Sequence, residues 1–273
     1  MNLLPETCRY DSLAGLSRAK GRRNLMSMVK VHRPLLAIFC LAAMASPAFG
    51  QTVLDRERLL CADQDNHLSL DTQIIACTHV IQTSNQASDH VAGAYNSRGN
   101  AYRDQGNLDM ALGDYGQAIR LKPDYANAFN NRGLAYRARR DYASAIADFN
   151  EAIRLDPNVA GVFLNRAGAY ADQRLFELAI ADYNRAISLN PQFARAFNNR
   201  GNAHRAQGDF DSAITDYTAA IAIDPNYANA YYNRAIAYRG KGNAAQTAAD
   251  LEQARHLDPD NPNYRGAAVA RQP

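Results

Sequence analysis

The sequence predicts an all-α array of stacked helical hairpins. Three observations predict it: a period of 34 residues repeated five times without a gap, two apolar stripes at helical spacing within each period, and glycine or proline where the stripes stop. Tyr95, Phe129, Phe163, Phe197 and Tyr231 keep the period, as do Pro123, Pro157, Pro191, Pro225 and Pro259. A fixed repeat of this length places function on an extended surface rather than in a pocket.

Numbering each repeat 1 to 34 from Ala92, Ala126, Ala160, Ala194 and Ala228, position 4 is Tyr or Phe. Position 8 is Gly or Ala (Gly99, Gly133, Ala167, Gly201, Ala235). Position 11 is Tyr102, Tyr136, Tyr170, His204 or Tyr238. These lie at i, i+4 and i+7, one stripe of a first helix. Position 20 (Ala111, Ala145, Ala179, Ala213), position 24 (Tyr115, Phe149, Tyr183, Tyr217, Leu251) and the invariant Ala at position 27 form the stripe of a second. Gly106, Gly208 and Gly242 supply easy positive φ between them. Asn107, Asp141, Asp209 and Asn243 then suit the N-cap of the second helix; Leu175 stands there in repeat three and predicts a weaker cap. Proline ends the second helix, because it disfavours helix at the preceding residue. One hairpin cannot bury both stripes, so neighbours must stack.

The pattern closely resembles the tetratricopeptide repeat, read in the first full unit as Tyr95, Gly99, Tyr102, Ala111, Tyr115 and Pro123. The resemblance covers 92–261, as repeats 92–125, 126–159, 160–193, 194–227 and 228–261. It implies a right-handed superhelical solenoid with a concave face lined by the first helices. This chain departs from the pattern in having no Trp at position 4, Arg at position 7 and no turn glycine in two repeats.

Before the array, 51–91 reads as a degenerate capping hairpin about four residues longer than a standard unit. Ile74 and Ile81 take positions 21 and 28, Cys61 position 8 and Cys77 position 24. The linker through Ser84–Asp89 is expected to be looser. Upstream, Lys30 and Arg33 precede an apolar run from Leu35 to Ala45, then Ala48-Phe49-Gly50. That order reads as a secretory signal within 1–50, with cleavage after Gly50 and translation starting at Met26 or Met28. The run is short for a membrane span. The tail 262–273 is expected to be frayed.

The whole chain has 30 Lys/Arg and 27 Asp/Glu; seven and two of these lie in the first 50 residues, so the remainder holds 23 and 25, net −2. Nothing in that balance favours nucleic acid. Processing leaves Cys61 and Cys77, an even pair that in an oxidising compartment predicts a disulfide across the capping hairpin. A metal site adding His79 and His67 has weak zinc spacing, and no metal or cofactor is expected.

Two charged positions recur. Position 7 is Arg98, Arg132, Arg166, Arg200 and Arg234; position 23 is Asp114, Asp148, Asp182, Asp216 and Asp250. Catalysis needs one converging site, not a ladder, so a structural ion pair between packed helices is expected. Positions 2, 5, 9 and 12 lie on one side of the first helix, the concave side by the resemblance. They carry Asn96, Asn100, Arg103, Asn127, Asn130, Arg137, Arg195, Asn198, Asn202, Arg205, Asn229 and Arg239, with Leu164, Gly168 and Ala171 as an apolar patch midway. Amides can bond both groups of an extended backbone, and guanidinium grips carboxylate, so a peptide or protein segment is the expected ligand. Some family members clamp a chaperone's terminal carboxylates. Here Asn100 and Asn131 match two of that set, but Asn96, Gly161 and Asn165 stand at its basic positions, so that ligand is not expected.

The resulting expectation is a non-enzymatic scaffold or adaptor of a bacterial periplasm, or secreted, binding a protein or peptide in its groove, with no membrane anchor after cleavage. Alternatives are a self-associating envelope protein joined through its terminal hairpins, or an accessory repeat subunit of an envelope enzyme such as a glycosyltransferase. The chain shows no HExxH, GxSxG or phosphate-cradling glycine loop.

Overall fold

The computed structural model describes residues 56, 58–62, 69–83 and 89–265, all within one compact unit, Leu54–Pro273. The leader, its cleavage site, most of the 84–89 linker and residues 266–273 lie outside the described residues.

Residues 58–62 are helical, and among the described residues twelve helices follow: α1 (Leu70–Thr83), α2 (Asp89–Asp104), α3 (Leu108–Leu121), α4 (Ala126–Ala138), α5 (Tyr142–Leu155), α6 (Ala160–Asp172), α7 (Phe176–Leu189), α8 (Ala194–Ala206), α9 (Phe210–Ile223), α10 (Ala228–Gly240), α11 (Ala244–Leu257) and α12 (Pro262–Arg265). From α2 onward, each even-numbered helix up to α10 pairs with the next as a hairpin and packs on the following pair, the stacking of a helical solenoid. First helices of successive repeats also touch one another, at α2/α4, α4/α6, α6/α8 and α8/α10, so they line the inner side of the curve. Among the described residues no helix is long and apolar enough to cross a membrane.

The turns follow the sequence punctuation. Gly106, Gly208 and Gly242 have φ of 82°, 84° and 75°, and Arg140 and Arg174 hold the same left-handed position at 63°. The next residue then returns its N–H to the position-11 carbonyl, as Asn107 does to Tyr102 at 2.8 Å. Asn107, Asp141, Asp209 and Asn243 each accept the backbone N–H three residues on, at 3.0–3.3 Å. Leu175 makes no such bond at the start of α7 and is 43% exposed. Leu175→Asp is therefore expected to raise stability by about 1 kcal/mol; an unchanged denaturant midpoint would mean that the α7 terminus is satisfied by solvent. At the other end, the residue before each proline leaves helical geometry (ψ 87°, 98°, 92°, 94° and 80°) while its N–H still reaches the position-27 carbonyl.

Within a hairpin the helices meet where position 8 faces position 24. A Cβ on Gly99, Gly133 or Gly201 would stand 2.7 Å from the ring of Tyr115, Phe149 or Tyr217, and those rings are fully buried. The capping hairpin uses the same two positions differently. Cys61 and Cys77 are buried with Cα atoms 4.6 Å apart and their sulfurs adjacent. A sulfur pair thus stands where repeats one, two and four place an aromatic ring on a glycine.

The first four residues of the tail depart from the expectation of fraying, and the rest lie outside the described residues. Pro262–Arg265 is helical, and Tyr264 is 1% exposed. Its ring lies 5.1 Å from that of Tyr232, and its hydroxyl donates to Asn229 Oδ1 at 2.7 Å. One aromatic anchor suffices to fold the start of the tail over the last repeat.

Candidate functional site

The recurrent arginines are structural staples. Each Arg at position 7 donates through Nε and Nη2 to both carboxylate oxygens of the Asp at position 23 in its own hairpin, at 2.5–2.9 Å. The aspartates are buried and the arginines half-buried. For Arg98, Arg132, Arg166 and Arg234 the bond to aspartate holds the guanidinium pKa above its ordinary value. The guanidinium also lies over the position-4 ring, 5.4–5.7 Å from its centre.

The third nitrogen reaches backward. Arg166 Nη1 donates to Asn150, Arg200 Nη1 to Asn184, Arg234 Nη1 to Thr218 and Arg98 Nη1 to Thr78, at 2.5–3.0 Å. These acceptors sit at position 25 of the preceding hairpin. Thr78 is 20 residues away rather than 16, which absorbs the four extra residues of the capping unit. Arg132 meets Gly116 at that place and lacks this bond.

The inner face is built on an amide ladder. Asn131 donates to Asn96, Asn165 to Asn130 and Asn233 to Asn198, at 2.9–3.0 Å, linking first helices of successive repeats. Asn96 and Asn198 are buried as a result, so these two expected groove residues are committed to packing. Asn131, Asn165, Asn199 and Asn233 recur at position 6 in register, but the sequence marks Asn131 and Asn165 only against a carboxylate clamp and not as donors between repeats.

Asn100 and Asn202 accept the Tyr115 and Tyr217 hydroxyls at 2.8 Å. Burial pushes the Tyr115 phenol well up, and those of Tyr183 and Tyr217 to about 12. Because the folded pKa lies above that of an exposed phenol, this stabilisation is complete below about pH 10 and is lost as pH rises toward 12. A spectrophotometric titration should show these tyrosines ionising late and together with loss of helicity. Ionisation of all fifteen tyrosines near pH 10 with helices intact would contradict their burial.

The remaining positions stay accessible to differing degrees. Asn127, Arg195, Asn229 and Arg239 are exposed; Asn100, Arg103, Asn130, Arg137, Asn202 and Arg205 are half-buried. Arg103 pairs with Asp104 at 2.9 Å, and Arg137 with Asp172 of the next repeat at 2.7 Å. The expected apolar patch is not open: Leu164 is 5% exposed, and the Arg137 guanidinium lies where a Cβ on Gly168 would stand. Among the described residues no group of His, Cys, Asp or Glu is placed to hold a metal ion.

Profiles of known families match the array directly. The TPR repeat profile matches 99–139, 176–208 and 201–242, and the tetratricopeptide repeat profile matches 126–159. The chain is a tetratricopeptide repeat protein. No curated protein matches it. Solved structures resemble this tetratricopeptide array. YrrB, a TPR protein with an unusual peptide-binding site, is 26% identical with a TM-score of 0.54, over 70% of this chain and 97% of its own. PilW, a widely conserved type IV pilus biogenesis factor, reaches a TM-score of 0.71 at 20% identity, over 80% and 99%. A tetratricopeptide repeat protein from Parabacteroides merdae reaches 0.65 at 19%, over 77% and 82%. Proteins built of tetratricopeptide repeats are generally scaffolds for protein or peptide partners, and that coarse role applies here.

Proposed function

We propose that this tetratricopeptide array is an exported, non-enzymatic adaptor that holds an extended segment of a partner protein along its first helices. The observation that carries the reading is the inner face itself: a row of amides and guanidinium groups, set in register by the asparagine ladder, on a curved surface. Amide side chains can donate to and accept from an extended backbone, which leaves specificity to the arginines. The peptide-binding site of YrrB supports the same ligand class.

Export rests on the basic and apolar pattern before Gly50 and on the cysteine pair. In a periplasm-like compartment Cys61 and Cys77 form a disulfide, stabilising the capping hairpin by about 3 kcal/mol in the chain-entropy description. Intact mass with and without reductant reads this bond, and two free thiols in secreted protein would remove it. The binding role is tested by pull-down from envelope extract, with Arg103, Arg137 and Arg205 changed to Ala in a second sample. Loss of the same partner with helicity kept supports the groove; an unchanged partner set moves binding to another surface.

A further inference from the structure

The groove is uneven in charge, and the unevenness lies in what neutralises the arginine at position 12. Asp104 answers Arg103, and Asp172 answers Arg137, which is also seated on Gly168. In repeats four and five the same position holds Arg205 and Arg239, but position 13 there is Ala206 and Gly240, and the seat is Ile236. Arg205 has the Tyr217 hydroxyl at 3.4 Å. Arg239 is exposed. Arg195, also on this face, lies 5.8 Å over the Phe193 ring. None of the three has a carboxylate partner among the described residues. At the groove positions, then, α2, α4 and α6 are balanced, whereas α8 and α10 carry three uncompensated positive charges.

The amide ladder breaks at the same place. Asn199 belongs to the ladder by position, but the residue opposite it is Leu164. Its Oδ1 accepts from Asn198 at 3.2 Å, and its side-chain N–H groups have no acceptor among the described residues. That amide is open to the groove and free to donate to an incoming acceptor.

We propose that the α8/α10 half of the groove binds an extended acidic segment of the partner. Its aspartate or glutamate side chains meet Arg195, Arg205 and Arg239, and a backbone carbonyl meets the Asn199 amide. Arg195 and Arg205 are ten residues apart on one helix, about 15 Å along its axis. One chain-terminal carboxylate cannot serve both, so side chains are the source. This proposal rests on the peptide-groove reading and adds which half of the groove holds the charge and of which sign.

The test is fluorescence anisotropy of the full chain with four labelled octapeptides. One alternates glutamate and serine and ends in an amide. A second replaces glutamate by glutamine, a third by lysine, and a fourth is the glutamine peptide with a free carboxyl terminus. The glutamate peptide is expected to bind about tenfold tighter than the glutamine peptide and to weaken with salt. Arg205→Gln with Arg239→Gln should erase that advantage with helicity unchanged. Removing two charges from second helices, by Arg120→Gln and Arg154→Gln, should not erase it. Erasure by Arg103→Gln with Arg137→Gln to the same extent would overturn the placement, and tighter binding of the free-carboxyl peptide would overturn the side-chain source. Preferential binding of the glutamine or lysine peptide sinks the acidic assignment but leaves the groove standing. Binding of none of the four, with the array folded, sinks the groove reading as well.

Discussion

Arg166→Ala is expected to destabilise the array by about 2–4 kcal/mol, a drop in melting temperature of roughly 4–16 °C for a protein of this size. The side chain is central and mostly shielded, with Asp182 more buried still: their side chains are 19% and 10% exposed. Truncation leaves that carboxylate in a poorly solvated place with both its bonds lost, and breaking such a pair costs more than the pair contributes. It also opens the bond to Asn150 that ties repeat three to repeat two. Arg132→Ala provides the comparison. It removes the same bidentate pair and the same position-4 ring contact, but no backward bond, since Gly116 stands where Asn150 would, and no second ring contact like the 6.0 Å approach of Arg166 to Tyr170. The Arg166 variant should therefore lose about 1 kcal/mol more than the Arg132 variant. Equal losses would mean that neither the third nitrogen nor the Tyr170 contact adds anything. No loss in either would return these arginines to a binding role.

This staple and the hairpins were legible in the sequence because each depends on one residue type recurring at one position. Five copies in register make Arg at 7 and Asp at 23 stand out, and a separation of 16 residues places them across a hairpin. What was less legible lies between repeats. Whether Asn96 faces the groove or the ladder depends on the height of Asn131 one repeat later, which the helical spacing of a single unit does not contain. Leu164, Gly168 and Ala171 read as an apolar patch on their own helix, yet Arg137 reaches over from the preceding one. Tyr264 was hidden for a different reason: a lone aromatic in a short polar tail has no repeat partner to mark it as buried.

Phe149→Ala is expected to cost about 3–5 kcal/mol, because the ring is fully buried between α4 and α5 and its removal leaves a cavity that two stapled helices cannot close. The array should not respond evenly. Each repeat touches only its neighbours, so protection from hydrogen exchange should fall first in 126–159 and last in 228–261. The neighbouring glycine makes the claim sharper. In the wild-type chain, Gly133→Ala forces a Cβ to within 2.7 Å of that ring and should destabilise, at the low end of about 1–3 kcal/mol, since repeat three keeps Tyr183 beside Ala167. In the Phe149→Ala background the ring is gone. The same methyl then enters open space and raises helix propensity by about 1 kcal/mol, so Gly133→Ala should stabilise. Repeat five already pairs a smaller residue, Leu251, with Ala235 at these two positions. A reversal of sign between the two backgrounds is what close packing of position 8 on position 24 requires; the same sign in both would show that the hairpin opens to accommodate the methyl and that the glycine is not needed for contact.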